Sequence, residues 1–209
     1  MFENEKYLRE KSKKGDVEAF EFLVNKYQKK VFNIALRMMG NHDDAGELAQ
    51  EVFIKVFKSI KGFKEESSLS TWIYRIATNV CLDEMRKRKK RWILSLDEEI
   101  QSEDGEIHRQ VEDNAPTPDI IAENNYTKSV INKAIEKLPE DYRVVIVLRD
   151  LQGFSYEEIS KIIDRPEGTV KSRINRARKE LKEILVKNGE LFNVDFVKNN
   201  ERRAANENV

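Results

Sequence analysis

Residues Phe154–Leu181 read FSYEEISKIIDRPEGTVKSRINRARKEL, and this stretch decides how the rest of the chain is read. Ser155 and Glu158 have the spacing of a capping box, in which each side chain satisfies a free amide of the other end. The helix they open is expected to run to Ile163. Asp164-Arg165-Pro166 then ends it, because proline cannot continue the hydrogen-bond ladder and disfavours helix before itself. A second helix is expected from about Glu167, with Val170, Ile174, Ala177, Leu181 and Leu185 in one apolar stripe. At about 100° per residue, Thr169, Ser172, Arg176 and Lys179 fall on the far side, flanked by Arg173 and Asn175. Two short helices around a tight turn, the second with a polar and basic outer face, form a helix-turn-helix pattern. Such a second helix fits a DNA major groove, where Arg pairs with guanine edges, Asn with adenine, and Lys neutralises phosphate. The plainer alternative is a solvated helix with ordinary surface charges.

Helical periodicity continues outward from this stretch. Asp16 caps an expected helix whose broad apolar face is Val17, Phe20, Leu23, Val24, Tyr27, Val31, Ile34, Ala35 and Met38, and Gly40 ends it. A second helix starts near Asp43 and carries Ala45, Leu48, Ala49, Val52, Phe53 and Val56. After the loop KGFKEESS, Ser70 or Thr71 is placed to cap a third long helix that ends near Arg91. From about Ser95 to Pro118 the sequence is acidic, weakly periodic and contains APTPD, the marks of an extended, charged linker. Helical pattern returns at Asp119 with Ile120 and Ile121, passes through Val130, Ile131, Ala134, Ile135 and Leu138, and stops at Pro139. DYRVVIVLRDL is read as a buried helix. The expectation is an all-α chain of two small helical domains. Residues 1–92 form the first, 93–118 an acidic flexible linker, 119–187 the second, and 188–209 a polar tail.

Composition limits the alternatives. Of 209 residues, 38 are Lys or Arg and 38 are Asp or Glu, so the formal net charge is zero. The balance hides a separation of sign: residues 97–124 are predominantly acidic, residues 165–182 predominantly basic, and Arg86–Arg91 is an unbroken run RKRKKR. Segregated cations point to nucleic-acid contact. A single cysteine, Cys81, allows no intrachain disulfide and is read as a small buried hydrophobe. With two separated His, no metal or cofactor is expected. No signal peptide or membrane-spanning run is read, so the expected location is cytoplasmic. No Gly-rich phosphate loop, His-Glu metal helix or Ser/His/Asp arrangement suggests an enzyme. A ligand-sensing helix-turn-helix regulator would need a pocket or receiver-type sheet, and neither pattern is seen.

Four stretches together carry a resemblance: GDVEAFEFLVNKYQKKVFNIALRMMGN, DDAGELAQEVFIKVFKSIKGF, STWIYRIATNVCLDEMRKRKKR, and LPEDYRVVIVLRDLQGFSYEEIS leading into the helix-turn-helix. In order and spacing, over roughly residues 5 to 187, the chain resembles an extracytoplasmic-function sigma factor of bacteria. The resemblance implies sigma regions 2 and 4 joined by a flexible linker, and core RNA polymerase (clamp helices and flap) and promoter DNA as partners. It also implies an anti-sigma factor, and a linker whose negative charge occupies a channel made for nucleic acid. By motif, Glu47, Gln50 and Glu51 would dock on the polymerase clamp; spacings of three and four put them on one helix face. Without the resemblance they would read as a solvated acidic face.

Promoter melting and −10 reading would fall to Phe63, Trp72, Tyr74, Arg75 and Asn79. Aromatic faces, amides and cations suit an extruded base and a freed strand. Lys61–Ser70 would be the loop cradling that base. Core packing is the competing reading of Trp72, and the preferred one for Ile73 and Ile76. The −35 duplex would be read by Thr169, Lys171, Ser172, Arg173, Asn175, Arg176 and Lys179, and RKRKKR would track phosphates. Three positions depart from the usual family phrase: Glu47 stands for Asp, Leu69 for Phe, and Asn175 for an aromatic or His.

Overall fold

The structure is a computed structural model and describes residues 5–98 and 128–187. Among these residues the regular structure is helical throughout: α1 (Glu5–Lys13), α2 (Val17–Met39), α3 (His42–Ser59), a 3₁₀ turn Ile60–Gly62, α4 (Leu69–Glu98), α5 (described over 128–136), α6 (Glu140–Ile146) running into a π turn Val147–Leu151, α7 (Tyr156–Ile163) and α8 (Glu167–Lys187). Of the acidic linker expected over 93–118, residues 93–98 belong to α4, and residues 99–118, the helical pattern at Asp119–Ile121 and the tail from Asn188 lie outside the described residues.

The ends of α2 are where the sequence places them. The Asp16 carboxylate accepts from the Ala19 amide at 3.0 Å, and that bond holds its carboxyl below the usual range. Gly40 closes the helix in the left-handed region, at φ 74°, with its amide donating to the Leu36 carbonyl. Val17 differs from expectation. As the first residue of α2 it precedes the turn that meets the body, and it is 67% exposed. At α4 the cap is Ser68, two or three residues ahead of the positions expected. Its Oγ accepts from the Thr71 amide at 3.1 Å, so the helix opens at Leu69, which is buried. α4 also continues past Arg91 to Glu98. No Gly or Pro interrupts it, and its cations are answered by acids: Arg88 Nε reaches Glu84 at 2.9 Å and Arg91 reaches the same carboxylate at 3.0 Å.

Helices α2, α3 and α4 pack through Leu23, Val31, Ile34, Met38, Val52, Val56, Ile73 and Cys81. Arg88 pins α3 to α4 by a two-pronged pair with Asp44, both bonds 2.7 Å, which lowers the Asp44 carboxyl. The second unit packs α6, α7 and α8 around Val145, Leu148, Ile159, Ile162, Val170 and Ile174. DYRVVIVLRDL is helical, and it widens at its end, where the Gln152 amide donates to the Val147 carbonyl five residues back.

The two units are not held apart. One hydrophobic cluster runs through both. Phe154 of the second unit packs edge-on to Tyr74 at 5.2 Å, and Lys30 Nζ sits 4.2 Å from the Phe154 ring centre. Arg143 Nη1 donates to the Met38 carbonyl at 2.8 Å, and Arg37 Nη1 to Asn132 Oδ1 at 2.7 Å.

Burial pushes the Cys81 thiol up to about 12, and the side chain is fully enclosed. The thiolate is the reactive form. At pH 8, well below that value, the native chain should therefore resist a thiol reagent and be labelled only as fast as it unfolds. Labelling that depends on reagent concentration and pH, with the folded state intact, would contradict this packing.

Candidate nucleic-acid interface

The turn before α8 is built by local bonds. Ser155 Oγ accepts from the Glu158 amide at 3.1 Å while Glu158 Oε2 accepts from the Ser155 amide at 2.8 Å, so the capping box is present. Asp164 takes a left-handed φ of 53° at the end of α7, and Ser160 Oγ donates to the Arg165 carbonyl at 2.6 Å. Pro166 then supplies the carbonyl that receives the Thr169 and Val170 amides. Val170, Ile174 and Ala177 are fully buried, with Leu181 and Ile184 packed beside them. With this stripe inward, Lys171, Ser172, Asn175, Arg176 and Lys179 are exposed, and Thr169 is half-buried. Among the described residues neither Arg176 nor Lys179 has a carboxylate partner, so both charges are open to an anion. Arg173 behaves differently: its Nη2 lies 3.3 Å from Asp141 Oδ2, and the side chain is largely covered. Arg178 is also spent internally, on Asp150. Ser172 Oγ donates to the Thr169 carbonyl at 3.0 Å.

In the first unit, Phe63, Trp72 and Arg75 come together. Phe63 is buried against Trp72, ring centres 5.1 Å apart. With Gly62, Lys64, Glu66 and Ser67 they line a cleft of ≈ 390 Å³. Asn79 is exposed seven residues beyond Trp72, about two turns along the same face of α4. Tyr74 is not in this group. It is buried between Tyr27 and Phe154, and burial raises its hydroxyl pKa. The far wall of the cleft belongs to the second unit, as Lys161 and Asp164. Arg75 Nε donates to the Lys161 carbonyl at 2.9 Å. All six residues of the RKRKKR run are exposed; Arg86, Arg88 and Arg91 pair with acids, and Lys87, Lys89 and Lys90 have no ion pair among the described residues.

On α3, Glu47 and Gln50 are exposed, and Glu51 pairs with Lys55 at 2.7 Å. Beside them lies an apolar groove of ≈ 680 Å³ lined by Val24, Phe32, Ala49, Gln50, Phe53 and Ile54. Ile54 is 54% exposed, and Phe22 on α2 is 58% exposed. From the sequence Val24, Ala49 and Phe53 are expected on apolar helix faces, whereas Phe22, Phe32 and Ile54 are assigned to none. Their signal was present: Ile54 and Phe57 fall off the Ala45–Leu48–Val52–Val56 stripe yet remain large and apolar.

The Sigma-70 region 2 family matches residues 23–91 and the Sigma-70 region 4 family residues 129–181. Over 174 residues the chain is 38% identical to the ECF RNA polymerase sigma factor SigW of Bacillus subtilis, spanning 83% of this chain and 92% of the relative. Over the same length it is 37% identical to the ECF RNA polymerase sigma-E factor of Escherichia coli K12, spanning 83% and 90%. In structure it is similar to the sigma factor RpoE of Bartonella quintana, solved in complex with the anti-sigma factor NepR. That likeness has a TM-score of 0.58 and 28% identity, and covers 79% of this chain and 96% of the other. The fold also matches CnrH, solved in complex with the cytosolic domain of CnrY, at a TM-score of 0.60 and 21% identity, covering 88% and 97%.

A paired helical fold with a helix-turn-helix in its second unit defines a DNA-binding transcription initiation factor of the sigma-70 class. Within that class, the chain belongs to the family of ECF RNA polymerase sigma factors. Among the described residues no helix is long and apolar enough to cross a membrane, and no group of His, Cys, Asp and Glu is arranged to hold a metal ion.

Arg143 is the test of how the two units hold together. Its guanidinium is half-buried, spans the carbonyls of Met38, Glu136 and Leu138, and is depressed in pKa by burial. Arg143→Met should cost about 1–3 kcal/mol through the carbonyls left without donors, and it should enlarge the radius of gyration in solution scattering. A thermal melt and a scattering curve unchanged from the parent would mean that the seam does not depend on this residue.

Proposed function

We propose that the chain binds core RNA polymerase and directs it to promoters whose −35 duplex is read by α8 and whose −10 element is opened and read by the first unit. The observation that carries this reading is the outer face of α8: two cations without carboxylate partners among the described residues, and an amide, held outward by a buried apolar stripe. Arg176 would take the base-reading role, with Ser172 one turn earlier and Asn175, Thr169 and Lys171 beside it. Lys179, nearer the helix end, would take a phosphate. Arg173 would have to leave Asp141 before touching DNA. In the first unit, Trp72, Arg75 and Asn79 would hold the displaced strand and its extruded base, a task served by stacking faces and cations, while Phe63, expected to join them, is buried against Trp72 and would shape the pocket.

Glu47, Gln50 and Glu51 would meet the polymerase clamp, with the apolar groove beside them adding buried area, and the second unit would meet the flap. The chain would work in the cytoplasm as an initiation factor rather than an enzyme. Its neighbour RpoE, solved with the anti-sigma factor NepR, makes an anti-sigma factor a fitting further partner.

The proposed reading requires the two units to part, because Lys161 and Asp164 wall the −10 cleft and Phe154 covers Tyr74. Tyr74 would join the −10 site only after that separation. Run-off transcription with core polymerase tests the whole reading, and failure to direct any specific transcript would sink it.

Two finer outcomes follow. In holoenzyme titrations against matched and singly substituted −35 duplexes at several salt concentrations, Arg176→Ala should lose about 1–3 kcal/mol on the matched site and relax preference at one position. Lys179→Ala should weaken all sequences alike and lower the salt slope by about one. Equal losses on both duplexes for Arg176→Ala would reduce it to a backbone contact. On α3, reversing Glu47 and Glu51 to Lys should abolish co-purification with core polymerase while the helical circular dichroism is kept; undiminished co-purification would remove these residues from the interface.

A further inference from the structure

Helix α1 lies ahead of the segment that matches Sigma-70 region 2, which starts at residue 23. It nonetheless grips the loop that forms one side of the −10 cleft. Arg9 is buried to 9% exposure, unusual for a cation unless it is paired. Its Nη2 donates to Glu65 Oε1 at 2.6 Å, and its guanidinium lies 5.6 Å from the Phe63 ring centre. Lys13, one turn later on the same face, lies 3.7 Å from the same Glu65 oxygen and 5.7 Å from the same ring. Glu10 steadies both cations, at 3.4 Å from Arg9 and 3.2 Å from Lys13. α1 is in turn tied to α2, where the Tyr27 hydroxyl donates to Glu5 Oε2 at 2.7 Å.

The residue held is one that needs holding. Glu65 has a φ of 61°, in the left-handed region that a side chain with a Cβ adopts only at a cost. A backbone in that state persists when surrounding contacts over-determine it, and here the contacts are Arg9 and Lys13. Glu65 sits between Lys64 and Glu66, both of which line the cleft, and two residues after Phe63, whose ring packs at a tilt against Trp72. The cleft's shape therefore depends on a conformation fixed from outside it.

We infer that Arg9, seconded by Lys13, is a positioning residue for −10 base selection: it fixes the Lys61–Ser68 loop through Glu65 and Phe63 and touches no base itself. The inference rests on the reading of the cleft as the place that receives the extruded base. Release of Glu65 lets the loop relax out of the left-handed turn, and the cleft then discriminates less among bases.

The test is open-complex formation by holoenzyme on promoters substituted one position at a time through the −10 and −35 elements. Arg9→Gln should lower the preference between right and wrong base at a single −10 position by about tenfold, the order of effect of one coupled pair. Preferences at −35 and binding to core polymerase should stay as they are. Glu65→Gln should reproduce the loss without touching the α1 core, which keeps the test available if Arg9→Gln folds poorly. Arg9→Lys should recover part of the preference, and Arg9→Glu combined with Glu65→Arg should restore most of it. A uniform fall in rate over all −10 bases, or a lowered melting temperature with preference intact, would overturn the inference and leave Arg9 a structural residue. Lys64→Ala and Ser67→Ala separate the two levels of the argument. If these direct cleft variants alter −10 preference while Arg9→Gln and Glu65→Gln do not, the clamp alone is wrong. If none of the four alters it, the cleft is not the base pocket and the inference falls with that reading.

Discussion

What α8 presents to solvent is decided by what it buries. Val170, Ile174 and Ala177 are completely enclosed, and withdrawing such side chains from water is worth roughly 1.5–3 kcal/mol for each large aliphatic. A helix rotated enough to turn Arg176 inward would expose that stripe and bury an unpaired guanidinium. The rotation of α8 is therefore fixed by the core of its own unit, before any DNA is present. The turn reinforces it, since the capping box of α7, the left-handed Asp164 and Pro166 set the angle at which α8 departs. A rigid helix face held on a packed core is the condition for reading base edges rather than merely attracting phosphate.

The same logic of exclusive burial makes the two units compete for one surface. Tyr74 lies under Phe154, and Arg75 is engaged by the Lys161 carbonyl. On the proposed reading of this surface, a strand of DNA would have to displace the end of α7. The contacts that close the molecule are of moderate strength individually: an edge-on ring pair, a lysine over an aromatic face, and hydrogen bonds from Arg143, Arg37 and Arg75. Each is worth of order 1 kcal/mol. A seam built of several such terms suits an arrangement that a large partner surface outweighs, and it differs from the internal core of either unit, where enclosed aliphatic side chains dominate.

Local signals in the sequence were sufficient for the elements and weak for their mutual arrangement. The Asp16 cap, the Gly40 stop, the Ser155–Glu158 box and the α8 stripe all depend on neighbours within a few residues, and all were legible. Ser68 was passed over because three serines and a threonine crowd residues 67–71, and the cap is chosen by where Leu69 must be buried. The far end of α4 lies beyond the expected stop near Arg91 because six adjacent cations repel one another unless acids answer them; Glu84 is a local partner one turn back on α4, but Asp44, which also accepts Arg88, comes from α3. The −35 residues were selected by angle about one helix, which places Arg176 and Lys179 well. Angle alone does not reveal that Asp141, from another helix, takes Arg173. Tyr74 was assigned to the DNA face on chemical type, and only the approach of Phe154, eighty residues away in the chain, shows it covered. The Arg9–Glu65 pair was equally invisible, since nothing local links α1 to the loop.

The π turn at Val147–Leu151 carries a consequence for the energetics of opening. Residues Val144 through Leu148 are five buried positions in succession. A helix with one wet face cannot supply such a run, so this segment has neighbours on every side, α8 on one and α2 on another. The α2 side belongs to the other unit. Parting the units therefore does more than swing a hinge: it wets aliphatic surface at roughly 25 cal/mol for each Å². An open molecule free in water would carry a newly exposed greasy flank, the kind of patch that drives self-association. Under the proposed opening, availability for DNA would be coupled to the presence of something that covers that flank, and the apolar contacts of the seam would hold the chain closed until it arrives.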